Sequence, residues 1–332
     1  MRLRTCRTLR AAKAIVPQHL LGVIALIALA GAPVPAAHAQ SQLWITQFGT
    51  TGIDIAYALA PDGIGGVMVA GYTEGSLGGP NVGGQDAFLA RYDEFGNQLW
   101  VVQIGSADSD SVRALSSDGA GGVMVAGYTR HNLGGPSAGG TDVFLARYDD
   151  TGNQLWIRQF GTSSNELARA LAPDGAGGVI VAGSTSGSLG GPSAGSSDAF
   201  LARYDAAGNR LWIRQFGTSS SEAVYALAPD GAGGVMVTGK VRLQPSRVIE
   251  SYLARYDENG DELWTTQIRA SEGVETIALA PDGAGGVMVA GTVTPVSGGH
   301  QAFVARYDEN GDELWRRLFG SGAHANALVS DG

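Results

Sequence analysis

Six tryptophans, Trp44, Trp100, Trp156, Trp212, Trp264 and Trp315, stand at intervals of 56, 56, 56, 52 and 51 residues. Five of them close a copy of one phrase: FLARYDEFGNQLW from Phe88, FLARYDDTGNQLW from Phe144, FLARYDAAGNRLW from Phe200, YLARYDENGDELW from Tyr252 and FVARYDENGDELW from Phe303. A period of this size restricts the chain to architectures that stack or circle one supersecondary unit.

One repeat reads as four short strands. Ile55–Ala60 (IAYALA) is a run of small and apolar residues ended by the turn signal Pro61-Asp62-Gly63. Val67–Tyr72 (VMVAGY) alternates as a half-buried strand does. A Gly/Pro-rich link leads to Ala87–Tyr92, the tight turn DEFGN follows, and Gln98–Ile104 closes the unit. Helical periodicity is missing after residue 39. Four antiparallel strands repeated every ~50 residues predict the blade of a β-propeller, an all-β fold in which radial repetition leaves only short sheet edges.

Size orders the strands within a blade. The axis leaves least room, so IAYALA and its cognates are expected innermost, VMVAG second, FLARY third and QLW outermost. The tryptophans would then pack near the rim, as core and not as a ligand cage. The blades fall at about 54–105, 110–161, 166–217, 222–269 and 275–320. Residues 321–332 supply a further inner strand, and residues 41–49 an outer strand placed to close the ring. This count predicts five full blades and a partial one, a six- or seven-bladed ring cut off in mid-blade; a five-bladed ring with ragged ends is the alternative.

Residues 1–39 stand outside the repeat. A basic start (Arg2, Arg4, Arg7, Arg10, Lys13), the apolar run Leu20–Ala30 and the small-x-small site Ala37-His38-Ala39 read as a signal peptide, with Gln40 beginning a mature domain of residues 40–332. The expected location is secreted, periplasmic or cell-surface, without membrane insertion after the leader is removed. The leader takes five of the 22 basic residues and none of the 31 acidic ones, so the mature chain carries 17 against 31. That balance argues against nucleic acid as a partner, which needs positive charge to displace counterions. The only cysteine, Cys6, leaves with the leader, and neither thiolate chemistry nor a disulfide remains.

The DGxGGVxVAGYT and YDxxGNxLW hairpins resemble the bacterial SBBP-type repeats, named for a seven-bladed propeller. The resemblance covers Gln40 to the end of the chain in five and a half copies. It implies a secreted or surface-attached protein, usually without an assigned activity. A fainter likeness to quinone-dependent propeller dehydrogenases rests on Asp93, Gly96 and Trp100, which lie one residue closer together here, with Phe95 between.

An acid stands eight residues before each of the first four DG turns: Asp54, Asp110, Glu166 and Glu222. At the start of innermost strands these carboxylates would rim one mouth of the channel, and the DG aspartates (Asp62, Asp118, Asp174, Asp230, Asp282) the other. A carboxylate ring is a candidate Ca²⁺ site, since hard cations take several oxygen ligands; the competing expectation is that each acid bonds the amides of its own turn. No other cofactor is expected. The repeated Arg91, Arg147, Arg203, Arg255 and Arg306 are expected to pair with an acid or to line the rim. The links between second and third strands are where the repeats diverge. Glu74, His131, Lys240, Arg242, Arg247 and His300 lie in or beside them and are the candidate binding residues. Neither a Ser-His-Asp set nor a two-carboxylate set with separate roles can be drawn from the spacing. The expected function is a non-enzymatic exported scaffold binding protein or glycan. The alternatives are a structural segment of a larger surface protein, or a propeller hydrolase or quinone-type dehydrogenase.

Overall fold

The computed structural model describes residues 44–118, 121–242, 249–268, 273–294, 299–320, 322, 323, 325 and 328. These residues form five four-stranded antiparallel sheets, each in simple meander order. Sheet 1 comprises β1 (Asp54–Pro61), β2 (Val67–Thr73), β3 (Asp86–Tyr92) and β4 (Gln98–Ile104). Sheet 2 runs from β5 (Asp110–Ser117), sheet 3 from β9 (Glu166–Pro173), sheet 4 from β13 (Ser221–Pro229) and sheet 5 from β17 (Val274–Pro281). The first strands of successive sheets lie against one another in series, β1 on β5, β5 on β9, β9 on β13 and β13 on β17. The sheets are therefore blades of a propeller, with the IAYALA strands innermost.

The core lies between blades. Met68, Ala70, Ala87 and Leu89 of sheet 1 pack on Val112, Val125, Phe144 and Tyr148 of sheet 2. Phe88, Phe144, Phe200 and Phe303 repeat one fully buried position, each worth about 1.5–3 kcal/mol of transfer free energy. Trp44 lies on Glu94 as Trp100 lies on Asp150, and Phe48 meets Phe88 edge-on at 5.7 Å. Residues 44–50 thus stand where the outer strand of a blade preceding sheet 1 would lie, but without strand pairing. The expected inner strand at 326–330 falls almost wholly outside the described residues.

Each inner strand carries a β-bulge at one position. The pairing skips Tyr57, Arg113, Arg169, Tyr225 and Ile277 in turn. The cause is the glycine of the VAG motif: a Cβ on Gly127 would stand 2.0 Å from the Ser111 carbonyl oxygen, and one on Gly183 1.8 Å from that of Leu167. Only glycine lets the backbones approach so closely, and the extra residue bends its strand and redirects its own side chain.

Candidate binding faces

The blades present two unlike faces. On the lower face each DG aspartate is consumed by structure. Asp62 accepts the amides of Ile64 (3.0 Å) and Gly66 (2.7 Å) on one oxygen and the Arg91 guanidinium (3.0 and 3.1 Å) on the other. Burial works against its ionisation, yet those bonds outweigh burial and hold its carboxyl below the usual range. Arg91 also donates to the Asp150 carbonyl of the next blade at 2.6 Å, and the Trp100 indole donates to the same oxygen at 2.9 Å. The device recurs on Ala206 with Arg147 and Trp156, on Glu258 with Arg203 and Trp212, and on Glu309 with Arg255 and Trp264. One carbonyl thus receives two donors from the preceding blade. Beneath it the turn glycine is required twice over: Gly152 has φ +86°, and a Cβ there would meet the Trp100 ring at 3.0 Å.

This corrects one expectation. The DG aspartates do not rim an open mouth: Asp62, Asp174 and Asp230 are buried, and their arginine partners come from the third strand of the same sheet.

The upper face gathers the starts of the inner strands and the links that follow the second strands, joined by Glu74 N to Ile53 O, Arg130 N to Ser109 O and Ser186 N to Asn165 O. The four candidate ring acids lie here. Asp54 accepts the Thr50 amide and the Thr73 hydroxyl, Asp110 the Ser106 amide, Glu166 the Thr162 amide and the hydroxyls of Thr162 and Thr185, and Glu222 the amide and hydroxyl of Thr218. Asp54, Glu166 and Glu222 are thereby held by their own turns, while Asp110 keeps one oxygen without a hydrogen-bond partner. Among the described residues no group of three or more His, Cys, Asp or Glu is placed to hold a metal ion.

A second acid, at the start of the third strand in sheets 1–3, was not singled out from the sequence. Asp86, Asp142 and Asp198 accept the side-chain amides of Gln103, Gln159 and Gln215 at 2.7–2.8 Å. The same glutamines bind the loop backbone, Gln103 Oε1 taking the amides of Leu77 and Gly78. Sheets 1–3 thus hold their links in one conformation. The signal was legible in the repeated Gln one residue before the end of the last strand; sheet 5 has Leu318 there.

The candidate binding residues that the structure describes share this upper face. Glu74 accepts Gln85 Nε2 at 3.1 Å and, with Gly84, Gln85, Ser109, Tyr128 and Arg130, lines an open cavity of about 560 Å³. His131 Nδ1 accepts the Asn132 amide, and His300 Nδ1 stands 3.2 Å from the Thr294 hydroxyl. Lys240 pairs with Glu275 at 2.9 Å and lies over the Tyr225 ring. Burial opposes its charge, but bonds to Tyr225 and Glu275 raise its ammonium above the ordinary lysine range. Arg242 ends the same strand, exposed, and Arg247 lies outside the described residues.

No family model matches the chain. It is similar to the regulatory protein FlaEY of Caulobacter vibrioides, at 30% identity over 173 residues, which cover 47% of this chain and 18% of that protein. It is also similar to an uncharacterized WD repeat-containing protein of Acanthamoeba polyphaga mimivirus, 22% identical over 225 residues, or 51% of this chain and 16% of that protein. The matches span less than a fifth of the length of these curated relatives. Among solved structures, the Pan2 WD40 domain of Neurospora crassa aligns with 80% of this chain and 66% of its own at 12% identity and a TM-score of 0.48. An endo-arabinanase from Bacillus licheniformis aligns with 82% and 96% at 11% identity and a TM-score of 0.33.

Proposed function

We propose that this protein is an exported, non-enzymatic propeller of the SBBP type that holds a partner protein on its upper face. The observation that carries the reading is the confinement of variation to one side. Lower-face residues repeat blade after blade in one bonding scheme, whereas the upper links change in charge and length, above all in sheets 4 and 5. A surface whose chemistry varies while its frame stays constant suits recognition. The relatives, a regulatory protein and a WD repeat protein, agree with a scaffold, and among the described residues catalytic groups with distinct roles do not converge at either face.

Site-specific photo-crosslinking in the producing cell tests the reading. A crosslinker at Lys240 or His131 should give discrete adducts with another protein, and one at Asp149 on the lower face none. Equal adducts from both faces, or none from the upper one, would overturn it. Export is checked separately by fusing residues 1–60 to a phosphatase that is active only outside the cytoplasm.

A further inference from the structure

The bulged positions of the inner strands do not follow the monotony of their neighbours. Where Ala58, Ala114, Ala170, Ala226 and Ala278 repeat one small residue, the positions just before them read Tyr57, Arg113, Arg169, Tyr225 and Ile277. The structure joins these across blades. The Arg113 guanidinium lies 3.8 Å from the Tyr57 ring centroid in sheet 1 and 5.2 Å from that of Tyr128 in its own sheet. Arg169 lies 5.0 Å from the ring of Tyr225 in sheet 4, whose other cation is Lys240 at 4.6 Å. Tyr72 leans on Tyr57 at 5.9 Å.

The two arginines are unlike the five of the lower face. Neither has an ion-pair partner among the described residues: Arg113 makes one weak hydrogen bond, 3.4 Å to the Tyr128 hydroxyl, and the buried Nε of Arg169 has no acceptor. Both are half-buried, so the free guanidiniums are partly stripped of water yet open on one side. In a chain with 31 acidic residues, unpaired arginines at the innermost strands are a costly arrangement unless something anionic completes them. Tyr128 also belongs to the adjoining cavity, which carries a third guanidinium without an ion pair, that of Arg130. Glu74 on the same wall is engaged by Gln85, and Glu275 by Lys240.

We propose that this belt receives an acidic peptide segment of the partner protein, laid across the upper mouth with carboxylates on Arg113 and Arg169. The proposal rests on the protein-binding reading above and specifies its chemistry. Acidic sugars fit less well: stacking a sugar needs a free aromatic face, and here the Tyr57 ring carries Arg113 and the Tyr225 ring carries both Arg169 and Lys240. Arginine beside tyrosine is also the composition of energetically dominant protein–protein contacts, and a guanidinium matches a carboxylate bidentately.

The test is fluorescence anisotropy with the full chain and a labelled Asp/Glu-rich dodecapeptide, its Asn/Gln counterpart and polygalacturonate as competitor. The acidic peptide should bind and the amide peptide should not, with affinity falling as salt rises from about 0.05 to about 0.3 M. The double variant Arg113→Gln, Arg169→Gln should lose at least tenfold in affinity while still unfolding in one cooperative transition. Arg317→Gln, at an exposed outer-strand arginine, should bind like the parent. Absence of peptide binding, equal binding by the double variant, or polygalacturonate outcompeting the peptide would overturn the proposal. Crosslinks from Lys240 that persist in the double variant would sink this inference and leave the scaffold reading standing.

Discussion

Arginine occurs at two repeated levels of this propeller, and the two do opposite things. At the lower face Arg91 and its four cognates each neutralise a buried aspartate, and four of the five also reach the neighbouring blade. At the axis Arg113 and Arg169 lean on aromatic rings and neutralise nothing. The first set is identical from blade to blade because the fold needs it in every copy. The second varies because the bulge that carries it is made by a glycine in the next strand, which leaves the bulged side chain itself free to change. Repetition therefore marks structure here, and its interruption marks the surface open to function.

The comparison is broken most directly by truncating one member of each set. Arg91→Ala leaves the Asp62 carboxylate buried without its cation and removes one donor from Asp150, so we expect a loss of about 3–5 kcal/mol in urea unfolding. Arg113→Ala should cost no more than about 1 kcal/mol, the scale of a partly exposed cation–π contact. Equal losses would erase the distinction between frame and belt.

A smaller effect separates the upper-face acids from the belt beside them. Thr185 donates at 2.7 Å to Glu166, which is wholly buried. Thr185→Val removes a hydrogen bond to a charged group and should cost about 1.5–3 kcal/mol by thermal or urea unfolding. A neutral result would mean that Glu166 is not committed to its own turn and is free for another partner, a cation included.

Most of the frame was legible in the sequence because it is local. The DG turn, the left-handed glycine after YDxx and the period-two strands are each decided within four to eight residues, and repetition at ~50 residues then fixes the architecture. The inner-to-outer order also followed, since alanine columns belong where space is least. What stayed hidden depends on contacts across about half a repeat or more. The Arg91–Asp62 pair joins strands 29 residues apart, and the carbonyl shared by Arg91 and Trp100 belongs to the next blade. The belt was missed for a different reason. Tyr57, Arg113, Arg169 and Tyr225 sit in a run that looks uniform until the bulge singles out that one position. The clue was the glycine in VAG, which marks a close backbone approach inside an otherwise ordinary strand.

Acid response sharpens the contrast between the faces, because Asp62 and Asp282 on the lower one and Asp110 on the upper one shift in opposite directions. Asp62 and Asp282 are held below the ordinary range despite burial, and Asp149 is lowered to about 2, chiefly by the Thr151 hydroxyl. A carboxyl lowered on folding contributes stability that is fully present above its unfolded value, about 4, and is lost as pH falls through the folded one. The melting temperature should therefore drop between about pH 4 and pH 2. Asp110 has the reverse sign. Burial, with the nearby charge of Asp86 as a lesser cause, raises its carboxyl, so folding favours its protonated form and stability declines as pH rises through its folded value. One oxygen of each of these two acids has no hydrogen-bond partner. Asp86→Asn removes the like charge while keeping an oxygen for the Val82 amide and for Gln103. Both bonds lose their charge assistance, and the amide group takes the place of a buried oxygen without a partner, so the variant should be destabilised by about 1–3 kcal/mol at neutral pH. A stabilised variant at neutral pH would show that repulsion between the Asp86 and Asp110 carboxylates outweighs the bonds that Asp86 makes.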